Sequence, residues 1–145
     1  MLDEMKALIR NKDVCVLATV SEGIPHCSLM SYVTDDDCRE FFMITHRDTK
    51  KFRNLLQNEA VSLLIDTREE DVGQKRELVR ALTVAGSFQT IEDRQQETFC
   101  REKLLARHPH LKEFAKNEDA RIFCVRARSF QLLCGITESY FEEIN

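Results

Sequence analysis

Apolar residues in this chain follow two different spacings, and the spacing changes several times along its length. Residues 3–11 have the helical period, with Asp3 as the expected N-cap. The apolar face of this first helix consists of Leu2, Met5, Leu8 and Ile9. Further helices are predicted at residues 49–57, 92–108 and 110–116. The apolar residues expected to face the core from the second and third helices are Phe52, Leu55, Leu56, Phe99, Leu104 and Leu105.

Short apolar runs bounded by turn residues predict the strands. The predicted strands are residues 14–20, 25–34, 40–45, 60–66, 78–91, 120–127 and 130–136. The first three, joined by short turns, are expected to form an antiparallel meander, and the last two a hairpin turning at Arg128 and Ser129. Gly86 marks a bulge or bend within the long fifth strand. The charged, aperiodic stretch 67–77 is predicted to be a mobile loop.

This order of elements predicts a mainly β protein with some helix. Six or seven short strands, mostly antiparallel, are interrupted by a few helices, which is not the strict alternation of a doubly wound sheet. We therefore expect a small β-barrel with peripheral helices, formed as a single domain by residues 1–145.

Composition and charge exclude several classes of protein. Hydrophobic residues make up 43% and charged residues 32% of the chain, which is typical of a folded globular domain. No apolar run approaches the roughly 18 residues that span a bilayer, and the first residues lack the apolar stretch of a signal peptide. The net charge of −4 argues against a nucleic-acid binder. The expectation is a cytoplasmic protein that binds neither membrane nor nucleic acid.

Cysteine and histidine spacing argues against a metal site. None of the six cysteines forms a Cys-x-x-Cys pair or has a histidine at zinc-finger spacing. Free thiols are the expected state, although a disulfide between Cys124 and Cys134 is left open by the predicted final hairpin. His108 and His110 have no carboxylate cluster nearby, and a surface turn between helices is their expected setting.

One segment carries candidate chemistry. Residues 45–53 read THRDTKKFR, in which four basic residues against Asp48 give a local net charge of +3. A strand is expected to end at Thr45 and a helix to begin near Thr49, so hydroxyls, free amides and the ammonium groups of Lys50 and Lys51 would meet at a helix N-terminus. This combination favours a bound phosphate. The alternative is a solvated basic helix start without a ligand.

Four stretches, taken in order, resemble the pyridoxamine 5′-phosphate oxidase-like family of FMN-binding split barrels. They are residues 16–20 with Gly23 and Pro25, residues 27–32, residues 41–55 followed by Asn58 and residues 61–65, and residues 82–86. The resemblance extends from about residue 6 to residue 136 and implies a six- to seven-stranded antiparallel split barrel.

The resemblance also implies a cofactor site. In this reading one strand lies along the flavin ring, the next strand approaches the ribityl chain, and the second helix holds the phosphate. The residues implied in that order are Ser28, Leu29, Met30 and Ser31; Ile44 and Thr45; and Thr49, Lys50 and Lys51. Arg53 lies a turn later and is not expected to contact the phosphate. The family further implies a homodimer with the flavin at its interface.

Two departures separate the chain from a true pyridoxamine 5′-phosphate oxidase. The basic residue that ends the flavin strand in that enzyme falls on Val33 here, and a glutamine of a later strand falls on Ala81. The Arg-, Trp- and Pro-rich C-terminal extension that holds its substrate is not matched either, since this chain contains no tryptophan. The resemblance therefore implies the cofactor more readily than the pyridoxal substrate.

Three functions remain open at this point. The first is an FMN-dependent oxidoreductase acting on a small molecule or on NAD(P)H, with no catalytic side chain identified and a deazaflavin as an alternative cofactor. The second is a non-enzymatic flavin- or haem-binding module of a stress response. The third is a structural dimer whose basic segment contacts a partner.

Overall fold

The computed structural model describes all 145 residues, from Met1 to Asn145. The helices are α1 (Leu2–Asn11), α2 (Lys50–Gln57), α3 (Arg94–Arg107) and α4 (Lys112–Ala115). The strands are β1 (Val14–Ser21), β2 (Ile24–Ser31), β3 (Val33–Thr34), β4 (Glu40–His46), β5 (Ala60–Asp66), β6 (Arg80–Thr90), β7 (Ala120–Cys134) and β8 (Glu138–Glu143). Short 3-10 turns occupy Gly73–Leu78 and Pro109–Leu111.

The strands form one antiparallel sheet that curls into an open barrel. Its order is β2-β1-β5-β6-β7-β4-β3, and β8 pairs with the second half of β7, residues 129–134. β2 and β3 lie at opposite ends of this order, yet Tyr32 is the only residue between them in the chain. The two ends of the sheet must therefore meet at Tyr32, which closes the barrel on one side and leaves a split where no ladder joins β2 to β4.

Tyr32 is held at this crossing through all three of its polar groups. Its amide donates to the Asp13 carbonyl at 3.0 Å and its hydroxyl donates to the Ile9 carbonyl at 2.6 Å. Its own carbonyl lies 2.9 Å from Nε2 of His108. The Ile9 carbonyl is one of the last four of α1, which have no partner within a helix. The buried Tyr32 side chain thus caps α1 while the backbone changes edge.

Two apolar cores lie on either side of β4 and the first half of β7. The larger fills the barrel and includes Phe41, Met43 and Phe123. The smaller lies under α3 and includes Phe42 and Ile44. Because β4 is buried on both faces, its sequence is continuously apolar rather than alternating.

The strands differ from the sequence prediction in two places. Both antiparallel pairings of the expected meander are present, but the predicted strand 25–34 is not continuous, since it breaks at Tyr32 and its two parts lie at opposite ends of the sheet. The expected hairpin at Arg128 and Ser129 is wrong, because β7 runs unbroken through these residues and turns only after Cys134. The sheet therefore has eight strands rather than six or seven.

The unbroken β7 also decides the state of two cysteines. Cys124 and Cys134 lie on the same strand, ten residues apart, so a disulfide between them is sterically excluded. All six thiols are free, and burial raises the pKa of Cys15 to about 12.

Several local expectations are corrected and others are confirmed. Asp3 does not cap α1, because the helix begins one residue earlier and Met1 is its N-cap. Leu56 and Phe99 are exposed, whereas Asn54 is buried and donates to the Thr19 hydroxyl at 3.1 Å. The predicted helix 110–116 is instead a 3-10 turn followed by the short α4. The register shift beside Gly86 confirms the predicted irregularity in β6. None of the helices is both long and apolar enough to cross a bilayer.

The two tyrosines of the chain provide a test of the crossing. We expect Tyr32→Phe to lower the free energy of unfolding by about 1–3 kcal/mol, because the buried Ile9 carbonyl loses its donor. Tyr140→Phe is the matched control, since this exposed hydroxyl bonds only to Glu138, and a change within about 0.5 kcal/mol is expected. Urea denaturation measures both values. Equal effects of the two substitutions would contradict a special role for Tyr32.

The comparison of wild type with Tyr32→Phe also predicts how the free energy of unfolding depends on pH. Burial raises the pKa of Tyr32, whereas an unfolded tyrosine titrates near 10. The stabilisation by Tyr32 is therefore complete below about pH 10 and is lost as the pH rises above it. The difference in unfolding free energy between wild type and Tyr32→Phe should narrow between about pH 10 and pH 11.

Candidate functional site

A cleft of about 340 Å³ opens at the split of the barrel. β3 pairs with β4 through Val33 opposite Phe42, and continuing this register would place Ser31 opposite Ile44 and Leu29 opposite His46. The backbone ladder stops before that point, and the strands separate. The side chains that would otherwise have faced each other across a ladder now line the two sides of the cleft.

The cleft collects residues from four separate parts of the chain. Its lining consists of Leu29, Met30, Ser31, Ile44, Thr45, His46, Thr49, Lys51, His110, Leu111 and Phe114. Seven of the nine residues predicted from the sequence are in this set, and Ser28 and Lys50 are not. The site is thus made by the ends of β2 and β4, the start of α2 and the wall formed by residues 109–115.

The polar end of the cleft is the N-terminus of α2. Thr49 has an extended backbone, with φ −122° and ψ 156°, and is the N-cap. Its hydroxyl accepts from the Phe52 amide at 3.2 Å and donates to the His46 carbonyl at 2.9 Å. The buried Thr45 hydroxyl lies 3.4 Å from it. The cap fixes the direction of the helix, and the first amides of α2 have no acceptor within the helix.

The first turn of α2 lacks the acidic residues that usually stabilise a helix N-terminus. Lys50 and Lys51 occupy it instead, and neither has a carboxylate within 4 Å. Positive side chains at the positive end of the helix dipole are unfavourable by a few tenths of a kcal/mol or more each. A bound anion removes this conflict, so the local charge favours a phosphate or carboxylate ligand.

The two lysines point to different places. Successive helical residues are rotated by about 100°, so neighbouring side chains cannot share one face. Lys51 is half-buried and lines the cleft, whereas Lys50 lines a separate depression together with Ser21, Arg53 and Gln57. The structure therefore brings Lys51, but not Lys50, to the predicted phosphate position.

The other basic residues of this segment are engaged with acids. Arg53 Nη1 lies 3.2 Å from the Asp48 carboxylate, and Arg47 Nε lies 2.8 Å from that of Asp119. The Arg53–Asp48 pair is largely solvent-exposed and contributes little stability, whereas Asp119 of the other pair is partly buried. The two carboxylates do, however, neutralise the charge of these arginines, so few unpaired positive groups remain around the cleft.

The wall opposite the strands, residues 109–115, is a part of the site that the sequence did not predict. His110, Leu111 and Phe114 come from the turn and short helix after α3, a segment that the sequence predicted as a helix but not as part of a site. Leu111 and Ala115 pack against the smaller core, which holds this wall in place. His108 is not in a surface turn as expected: its ring is buried beneath the wall.

The two positions at which the chain departs from pyridoxamine 5′-phosphate oxidase lie away from the cleft. Val33 is buried in the smaller core. Ala81 lies on β6 between Asp66 and Leu133, on a different part of the sheet. Ser28, on β2, pairs with Leu17 of β1 and also lies outside the lining.

Several known proteins are similar to this chain. A reductase of 5a,11a-dehydrotetracycline and 5a,11a-dehydrooxytetracycline from Streptomyces rimosus is 33% identical over 100 residues, which cover 64% of this chain and 67% of that protein. A haem-binding protein from Mycobacterium smegmatis superposes with a TM-score of 0.85 at 17% identity, covering 98% of this chain, which spans 57% of the mycobacterial protein. An FAD-binding protein from Mesorhizobium loti superposes with a TM-score of 0.72 at 16% identity, over 89% of this chain and 91% of that protein.

The two superpositions establish a shared fold, and the family follows from the sequence itself. The family model of pyridoxamine 5′-phosphate oxidase matches residues 1–134, which is most of the chain. The curled antiparallel sheet with its split agrees with that assignment. The chain therefore belongs to the pyridoxamine 5′-phosphate oxidase family.

Proposed function

We propose that the cleft binds FMN and that the protein is a flavin-dependent oxidoreductase acting on a small molecule. The observation that carries this proposal is the division of the cleft into an anion-binding end and an apolar remainder. Thr49, Lys51 and the first amides of α2 form the polar end, and Leu29, Met30, Ile44, Leu111 and Phe114 are its apolar lining. FMN has the same division, with a phosphate at one end and a flat aromatic ring at the other.

The size and lining of the cleft also support a small-molecule cofactor. Its volume of about 340 Å³ falls within the range of known ligand sites, which are mostly apolar with a few placed polar groups. The similarity to a reductase from Streptomyces rimosus and to an FAD-binding protein supports flavin chemistry. When bound, the flavin would supply hydride transfer, and the residues of this chain would anchor, orient and shield it.

The proposal includes a homodimer with the flavin at its interface. Leu29 lines the cleft but is 75% exposed in the single chain, so a ring resting on it would remain open to water. Val16 pairs with Leu29 on one side and with Leu64 on the other, and these side chains alternate with the inward-facing ones of β1 and β5. This outward apolar row supports a second copy of the chain as the missing cover.

The first experiment is the spectrum of freshly purified protein. A flavin spectrum that bleaches when NADH or NADPH is added anaerobically is the expected result. A flavin that is bound but not reduced by either donor would favour a non-enzymatic carrier. A colourless protein that takes up none of FMN, FAD, a deazaflavin or haem would contradict the proposal and favour a structural dimer.

Haem binding is the second candidate, and one observation favours it. The imidazoles of His46 and His110 both line the cleft, and histidine is a common axial ligand of haem iron. The Mycobacterium smegmatis neighbour is a haem-binding protein. A Soret band that appears on titration with haemin, with an affinity exceeding that for FMN, would replace the flavin proposal by this one.

The two neighbouring lysines provide the sharpest test of the phosphate anchor. Lys51→Ala should weaken FMN binding by at least about tenfold, since a hydrogen bond to a charged group contributes about 1.5–3 kcal/mol. Lys50→Ala removes the same charge one residue away, outside the cleft, and should weaken binding by less than about threefold. Isothermal titration calorimetry measures both affinities.

Riboflavin is the control ligand for this comparison. It lacks the phosphate, so its affinity should be weaker than that of FMN and should not change in Lys51→Ala. Equal losses of FMN affinity in the two lysine variants would show that a diffuse positive patch, and not the cleft, attracts the cofactor.

A further prediction concerns assembly. We expect a dimer at low micromolar concentration that FMN stabilises further, because a ligand bound at an interface favours the associated state. Leu64→Asp places a charge in the outward row and should shift the protein towards monomer. Phe99→Asp is the matched control, since this exposed phenylalanine lies on α3 away from that row. Sedimentation that finds a monomer with its full complement of flavin would contradict the shared site.

A further inference from the structure

The wall of residues 109–115 contains a histidine whose surroundings single it out. His110 is exposed, lines the cleft and makes no hydrogen bond within the chain. The other imidazole of the cleft is already engaged: Nδ1 of His46 accepts from the Asp48 amide at 3.1 Å, and its Nε2 faces the Asp119 carboxylate at 3.7 Å. Of the two, only His110 has both ring nitrogens free for a ligand.

A second, buried histidine, His108, lies against the first. Nε2 of His108 lies 2.9 Å from the Tyr32 carbonyl. A carbonyl can only accept, so this nitrogen carries a proton and the tautomer of His108 is determined. Its ring meets the ring of His110 nearly at right angles, with centroids 5.8 Å apart and an interplanar angle of 87°. The crossing at Tyr32 is thereby connected, through His108, to the side chain at the cleft wall.

We propose that His110 donates a hydrogen bond to the ligand bound in the cleft and that His108 is its positioning residue. This inference rests on the proposed function, because the ligand used to test it is FMN. The charged and titratable groups that share the cleft with His110 are Lys51 and His46, with Asp119 behind His46 and His108 beneath His110 itself. No carboxylate is among the lining residues, so a protonated His110 adds to the attraction for an anionic ligand.

A pH dependence follows from this arrangement. An unperturbed histidine becomes charged below about pH 6.5, whereas the phosphate of FMN loses charge near pH 6, and the two effects oppose each other. The contribution of His110 is therefore read from the ratio of the dissociation constants of variant and wild type at each pH, because the loss of charge on the phosphate weakens binding in both proteins.

His110→Gln is the decisive variant, because it keeps a donor but cannot be charged. We expect its FMN affinity to equal that of wild type at pH 8 and to fall about fivefold below it at pH 5.5. His110→Ala, without a donor, should be weaker than wild type by about threefold or more at both pH values. His26→Gln, on β2 outside the cleft lining, should match wild type throughout. Parallel pH profiles for wild type and His110→Gln would overturn the role of His110.

The positioning role of His108 is tested by a double-mutant cycle. His108→Gln can retain the bond to the Tyr32 carbonyl but removes the ring beneath His110. It should weaken FMN binding at pH 5.5 in wild type and have no further effect once His110 is alanine. Equal effects in the two backgrounds would overturn the positioning role, and thermal unfolding of each variant identifies any general loss of stability.

Proton NMR of the histidines provides a readout that does not depend on affinity. The chain has four histidines, which the His→Gln variants assign. Binding of FMN should shift the ring-proton signals of His110 and leave those of His26 unchanged, because, of the two, only His110 lines the cleft. Unchanged ring-proton signals of His110 in the FMN complex would overturn this inference. Absence of FMN binding by wild type would instead contradict the proposed function.

Discussion

The crossing of the chain at Tyr32 is the constraint on which the rest of this structure depends. One residue separates two strands that belong to opposite ends of the sheet, and this geometry forces the sheet to close upon itself. A backbone in that position cannot use a ladder for its hydrogen bonds. Asp13 and His108 supply partners for the Tyr32 backbone, and the Ile9 carbonyl accepts from its hydroxyl, so the N-terminal segment and the end of α3 both hold this residue. The N-terminal helix, the first strand and the end of α3 are thereby tied to one point.

The closure is incomplete, and the candidate site exists because of that. Where β2 and β4 diverge, the space between them is not filled by paired backbone but by a cleft. The larger core holds β2 and α2 from one side, through residues such as Met30, Phe52 and Leu55. The smaller core holds β4 and the wall of residues 109–115 from the other side. The two sides of the cleft are therefore held by two cores that share β4, because Phe41 and Met43 belong to the larger core and Phe42 and Ile44 to the smaller.

The positive charge at the start of α2 is a second constraint on this region, because it is unfavourable at a helix N-terminus unless an anion is bound. Lysines in the first turn oppose the helix dipole, and acidic residues at these two positions would stabilise the isolated helix better. Residues that oppose the local preferences of a helix or strand occur most often at functional sites. Thr49 meets the requirement for a cap by itself, which leaves the first amides and Lys51 available to an anion.

The sequence by itself determined most of the local elements, the family and most of the residues that line the cleft. Periodicity located β1, β4 and β5 and the start of α2 to within a residue, because these segments are decided by which side chains must be buried. It could not show that the predicted strand 25–34 breaks at Tyr32, nor that β7 runs unbroken through Arg128 and Ser129. A one-dimensional pattern of apolar residues looks the same with and without such a break.

Only the tertiary structure separated Lys50 from Lys51 and brought His110 to the cleft. Two adjacent residues of like charge are equivalent in sequence, and their difference arises from the rotation of the helix against a particular groove. His110 lies more than fifty residues from Lys51 in the chain, and no short-range pattern connects them. Both residues line the cleft because Leu111 and Ala115 pack on the smaller core, and this packing forms only in the folded chain.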